Sequence, residues 1–263
     1  MRDNTADLVV RAGAVQTLDE RTLTAFAVRD GTVVATADRD GEADLLRSWT
    51  GAEVVDDPGL VVLPGFVDTH CHLALAARSA FGVPVSQARD LAGVIELIRE
   101  RAARTPAGQW IVTAADWHEN QLAERRLPTA RELDSATADH PVLVLRGGHN
   151  GVVNSLGLRL AGIDRDTPDI SGGHIDRDVD GEPTGRLRDA AMNPVTAVLP
   201  ATPHEVLADG LATTSARFAS HGLTTVRDPA VTPDPQGKSF IDIGPLLPGD
   251  LSPAPGVPPP AGR

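Results

Sequence analysis

Short apolar runs separated by turn residues fill residues 6–63 and predict a series of β-strands. Asp30-Gly31 falls between Ala25–Arg29 and Thr32–Ala37, a hairpin signal, because a tight two-residue turn needs positive φ at both central positions. The apolar, β-branched approach Phe66–His70 predicts a further strand. Between residues 87 and 104 the period changes: Leu91, Val94, Ile95, Ile98 and Ala102 fall at helical spacing and form one core-facing stripe. Trp110–Ala114 and Pro141–Leu145 read as strands, and Thr129-x-x-Glu132 between them reads as a capping box opening a short helix. Asn150–Ala161 reads as a helix stopped by Gly162. A longer helix follows, with Thr202 as its cap, Pro203 in its first turn and Glu205 completing a capping box. Leu207, Leu211, Thr214 and Phe218 line one face of it, and Gly222 ends it. Leu223–Val226 then reads as a buried strand arriving at Arg227-Asp228.

After Asp228 the pattern breaks. The last 35 residues hold ten of the 21 prolines and five glycines, with no helical or strand period except around Phe240–Ile243. Such a segment buries too little apolar surface to offset its ordering entropy, so it is expected to be disordered.

Composition narrows the function classes. The chain carries 24 basic and 36 acidic residues, a formal charge of −12. That argues against nucleic acid, whose binders draw most of their affinity from basic patches. The single cysteine, Cys71, excludes an internal disulfide and fits a reducing compartment. No apolar run approaches the roughly 18–20 residues that cross a bilayer, and the N-terminus lacks an apolar signal core. The expectation is a soluble, cytoplasmic protein with no membrane partner.

The chemistry concentrates in Leu63-Pro-Gly-Phe-Val-Asp-Thr-His-Cys-His-Leu73. If the strand runs through this stretch, its period of two sends Asp68, His70 and His72 to one face and Cys71 to the other. Two imidazoles at a strand end can hold one metal ion, with Asp68 as a carboxylate behind them. The bland alternative is a pair of surface histidines where a strand meets a loop, with Asp68 capping the turn. The Pro-Gly turn and the β-branched approach favour the metal site.

This segment resembles the first barrel strand of the amidohydrolase superfamily. Ala6–Val10, Ala25–Asp30, Gly31–Ala37 and Leu60–Leu63 are similar to the small β-domain that precedes the barrel there. Arg146-Gly-Gly-His-Asn-Gly-Val-Val-Asn-Ser-Leu156, Leu160–Ile163, Gly172-Gly-His-Ile-Asp176 and Asp180-Gly-Glu-Pro-Thr-Gly185 resemble the large-insert branch that includes N-substituted formamide deformylases. The resemblance implies an α/β fold: an N-terminal β-sandwich-like domain, then the start of a TIM-type (β/α) metal-dependent hydrolase barrel carrying a large α+β insertion. On that reading residues 1–63 are the β-domain and 64–75 the first barrel strand with its H-x-H. Residues 76–201 are the insertion, 202–228 a helix and second barrel strand, and 229–263 a tail. The barrel is then incomplete.

The implied activity is metal-dependent hydrolysis of a non-peptide carbon–nitrogen bond in a small-molecule amide or formamide. One or two divalent ions, zinc in the first instance, would be held by His70 and His72 with Asp68 behind them. The remaining ligands and the aspartate base of the family lie further along its barrel, and nothing here matches them. No histidine follows His221, and the only lysine, Lys238, sits in the proline-rich tail. The chain is therefore expected to be an N-terminal piece inactive alone, with a truncated, non-catalytic remnant without metal as the alternative.

Other residues carry two readings each. His149 resembles a substrate-facing loop residue of the family, against a loop-capping role; His118 borders the same cleft or a surface loop. Trp110 and Trp117 read as core, and His140, His174, His204 and His221 as structural or solvated. Asp176-x-Asp-x-Asp-Gly181 opens like a calcium loop, but Leu187 stands where the bidentate glutamate belongs, so a hairpin turn is expected. A cupin-like site, which also uses H-x-H, is disfavoured because Leu73–Ala77 supplies no glutamate.

Overall fold

The computed structural model describes residues 5–49 and 52–229. The proline-rich segment from residue 230, and the readings made of it, lie outside them. The chain divides into two compact units, Met1–Phe66 and Val67–Arg263.

The first unit is a four-stranded sheet: β1 (Leu8–Val15), β2 (Leu23–Arg29), β3 (Thr32–Ala37) and β4 (Glu53–Val62), in the order β3-β2-β1-β4. β1 pairs with β4 in parallel and with β2 antiparallel. Asp30 and Gly31 take φ of 50° and 71°, as the β2–β3 hairpin requires. A helix not anticipated from the sequence, α1 (Glu42–Ser48), packs Leu45 against Ala25 and Ala27. Its signal is visible in retrospect, since Glu42 and Asp44 place acids in the first turn. Among the described residues the unit is thus one sheet backed by a helix, rather than two facing sheets.

A two-stranded ribbon opens the second unit, β5 (Phe66–Asp68), whose first residue is the last of the first unit, beside β11 (Leu223–Val226). Between them lie α2 (Leu73–Ser79), α3 (Leu91–Ala102), β6 (Ile111–Val112), α4 (Ala130–Asp134), β7 (Val142–Arg146), β8 (Asn150–Val153) and α5 (Ser155–Leu160). β9 (Gly173–Arg177), β10 (Pro183–Asp189), α6 (Asn193–Val198) and α7 (His204–Ser220) complete the unit. The sheet order β6-β7-β8-β10-β9 puts β7 near the centre, where alternation sends its side chains into two cores. Val142 and Val144 join Val94, Ile98 and Leu133, while Leu143 and Leu145 join Val153, Leu187 and Val195.

The α3 stripe and the Thr129–Glu132 capping box form as the sequence predicts. The Asp176–Gly181 stretch is the β9–β10 turn, with Gly181 at φ 83°. Three expectations are corrected. Residues 150–153 are strand β8 rather than helix: they pair with β7 on one side and β10 on the other, and the helix starts only after Asn154. Asn154 caps that helix from a fully buried position, its Oδ1 accepting the N–H of Gly157 and of Val142. Second, Thr202 does not cap α7: its hydroxyl accepts from Arg78 at 2.9 Å, and Pro203 holds the cap position without a side-chain bond. Third, β11 is not buried, because both of its threonines and much of its surface face solvent.

α7 packs closely on α2. A Cβ on Gly210 would lie 2.3 Å from the Ala77 carbonyl, so only glycine permits this approach. Among the described residues no helix is long and apolar enough to cross a membrane.

Candidate metal centre

The H-x-H motif leaves the strand sooner than its period implied. β5 ends at Asp68, so His70 lies in the following bend, Cys71 just after it, and His72 occupies the cap position of α2. Strand alternation therefore does not orient the histidines. Their placement comes from the ribbon. Arg227 donates its N–H to the Asp68 carbonyl at 2.8 Å and accepts the Cys71 N–H at 2.9 Å. These bonds bring the end of β11 beside the end of β5.

The two imidazoles meet edge to face with centroids 5.4 Å apart. His70 is exposed, and its backbone N–H donates to Asp68 Oδ1 at 3.0 Å. Asp68 thus closes a local turn of the kind aspartate favours. His72 is partly buried, and its Nδ1 is out of solvent contact with no hydrogen-bond partner. Such an atom carries the desolvation penalty of a lost hydrogen bond unless something satisfies it. The nearest opposite charge is Asp228, whose Oδ1 lies 3.8 Å from His72 Nδ1. Its Oδ2 accepts the N–H of Ala74 at 3.3 Å, in the first turn of α2. Asp228 holds the start of that helix from 154 residues away, which is why His72 and Asp228 stay together.

Asp228 is the residue that reading the sequence for chemistry overlooked. Its signal was its place, a carboxylate just past a strand that follows a helix, where ligand-bearing residues gather. Cys71 is half-buried, and burial, followed by the charges of Asp68 and Asp228, pushes its thiol upward. A raised thiol disfavours the thiolate, which is the form that binds metals.

The donors fit a metal in kind. Two imidazoles and a carboxylate suit a borderline divalent ion, and the unsatisfied Nδ1 of His72 is an atom that an ion would satisfy. They do not fit in number: among the described residues no group of three or more His, Cys, Asp or Glu is arranged to hold an ion. The cleft beside His72 is also lined by Asp68, Leu75, Asp116, Arg217 and His221.

The other candidate residues sit on loops of the five-stranded sheet. His149, in the β7–β8 turn, is exposed and has Nδ1 3.0 Å from Asp189 Oδ1. His118 caps a short 3-10 turn at Glu119–Gln121, where its Nδ1 accepts the Asn120 N–H. Its Nε2 lies against the Arg146 guanidinium, which also pairs with Glu119. Neither residue lines the cleft beside His72. Trp117 is buried and donates to the Leu145 carbonyl; His140 is buried between Thr137 and the Thr105 carbonyl.

With this geometry in view, comparison with known proteins identifies the class. Residues 53–239 match the amidohydrolase family, and the chain belongs to that family. It is 37% identical to the N-substituted formamide deformylase of Arthrobacter pascens over 71% of this chain and 35% of that protein. It resembles the structures of uncharacterized metal-dependent hydrolases from Pyrococcus horikoshii (TM-score 0.58, 21% identity) and Pyrococcus furiosus (TM-score 0.56, 20% identity). Each likeness covers 85% of this chain, and 43% and 44% of those chains respectively. The chain thus spans about a third of that curated relative.

Proposed function

We propose that this chain forms the first part of a zinc-dependent hydrolase of non-peptide carbon–nitrogen bonds, with amides or formamides as substrates. One observation carries the reading: the buried, partnerless Nδ1 of His72 beside His70 and Asp228. Family membership and the resemblance to a formamide deformylase support the bond class. In this reading β5 and β11 are the first two strands of a barrel, whose ligands come from the ends of several strands. His70 and His72 are the first metal ligands, Asp68 fixes the bend that presents them, and Asp228 holds His72 against α2. A divalent ion, were His70 and His72 joined by the further donors it needs, would supply Lewis-acid chemistry for a substrate carbonyl and a bound water. His149 contacts the substrate, and His118 borders its approach, offering a ring face because both of its nitrogens are engaged.

Taken alone the chain is proposed to be inactive, since zinc needs three or four protein donors. That shortfall also favours a second reading, a non-catalytic piece that binds no metal. The activity test is amine release from a panel of N-substituted formamides and simple amides by the whole protein carrying this segment. Turnover abolished by a chelator and restored by zinc is expected. Turnover indifferent to chelation overturns the metal, and no turnover across the panel overturns the bond class.

A further inference from the structure

β10 ends on Asp189, whose backbone takes φ 47° and ψ −123°. Those angles belong to the first central position of a type II′ turn, which glycine dominates because a Cβ crowds the backbone there. A residue with a side chain stays in such a conformation only where its surroundings impose it. The neighbouring backbone does so. Ala190 donates to the Gly172 carbonyl at 3.2 Å, and a Cβ on Gly173 would lie 2.1 Å from the Ala191 nitrogen, leaving the turn no slack.

The strained residue is joined twice to a single partner. The Asp189 N–H donates to the His149 carbonyl at 2.7 Å, and Asp189 Oδ1 lies 3.0 Å from His149 Nδ1. Both side chains are exposed, 78% for His149 and 58% for Asp189, so charge attraction contributes little. The turn holds the pair. The loop passes near the His72 cleft, since a Cβ on Gly148 would lie 3.9 Å from Leu75 Cδ2 and Leu75 lines that cleft, while His149 itself stands outside its lining.

We infer that Asp189 is a positioning residue: it fixes the His149 imidazole as the Nδ1–H tautomer and leaves Nε2 as a hydrogen-bond acceptor for the N–H of an amide substrate. The substrate half rests on the function proposed above, whereas the tautomer half stands independently. In water a free histidine side chain favours the Nε2–H form, so a carboxylate at Nδ1 reverses the preference.

Nitrogen-15 NMR of the full chain, above the imidazole titration, reads the tautomer directly, with His149→Gln assigning the signal. The wild type is expected to show Nδ1–H. Asp189→Asn, which keeps an acceptor and tolerates positive φ, should retain it. Asp189→Gly removes both carboxylate and strain; it should revert to Nε2–H while melting no lower than Asp189→Ala. Persistence of Nδ1–H in the glycine variant overturns the inference, because the turn alone would then explain Asp189. In the whole protein Asp189→Gly should raise KM for an amide roughly fivefold with kcat held, as loss of one hydrogen bond implies. An unchanged KM overturns the substrate half. Zinc uptake by the wild type is measured in parallel, so failure of the metal reading is seen separately from failure of this one.

Discussion

The five-stranded sheet and the β5–β11 ribbon lie in one compact unit but are held by different means. β7 is buried on both faces, and its four apolar side chains feed two separate cores. The ribbon is three residues beside four, and Phe66 and Val67 at its start are more than half exposed. Yet His70, His72 and Asp228 follow directly on the ribbon's strands, and the sheet's loop histidines, His118 and His149, do not line the cleft beside His72. The contrast separates stability from chemistry: the body of the unit folds on its own core, while the candidate metal site depends on a few backbone bonds and one carboxylate.

Substitutions can break that contrast from either side. The largest effect belongs to the sheet. Leu143→Ala, at a fully buried position, should lower unfolding stability by about 2–5 kcal/mol in urea titrations and leave zinc uptake by the folded fraction unchanged. Gly210→Ala links the two regions, because its Cβ would strike the Ala77 carbonyl and push α7 from α2. It should cost about 1–3 kcal/mol and, unlike Leu143→Ala, weaken zinc uptake, since α2 opens on His72.

A smaller effect depends on pH. The Arg126 guanidinium, assisted by the Thr129 cap, holds the Glu132 carboxyl at about 2 against an ordinary 4.5. A carboxyl lowered on folding stabilises fully above its unfolded value, and that contribution is lost as pH falls from about 4.5 toward 2. Glu132→Gln should flatten the acid limb of the stability profile in that window, as read by thermal melts at stepped pH. The smallest effect is expected in the ribbon: Phe66→Ser should move stability by no more than about 0.5 kcal/mol, because its side chain is already largely in water.

The parts of the fold legible in the sequence are those fixed by local rules. Asp30-Gly31 announces its turn, the 91–102 stripe its helix, and Thr129 with Glu132 its cap, because each is decided within a few residues. Asn150–Val153 was misread because its state is tertiary: a short Asn-Gly-Val-Val stretch becomes a strand only with β7 and β10 on either side. The site divides in the same way. His70 and His72 stand out as a motif, but the nearness of Asp228 to His72 comes from a pairing across some 150 residues. The tie between His149 and Asp189 spans 40 residues and rests on a strained turn that no local pattern marks.

Calorimetric titration of the purified chain with zinc tests the central claim most directly. Weak but saturable binding by the wild type is predicted, because the described residues supply fewer donors than zinc ordinarily takes; it should weaken further in Asp228→Asn and vanish when His70→Ala and His72→Ala are combined. Undiminished binding in the double variant, or none in the folded wild type, would contradict a metal centre at the end of this ribbon.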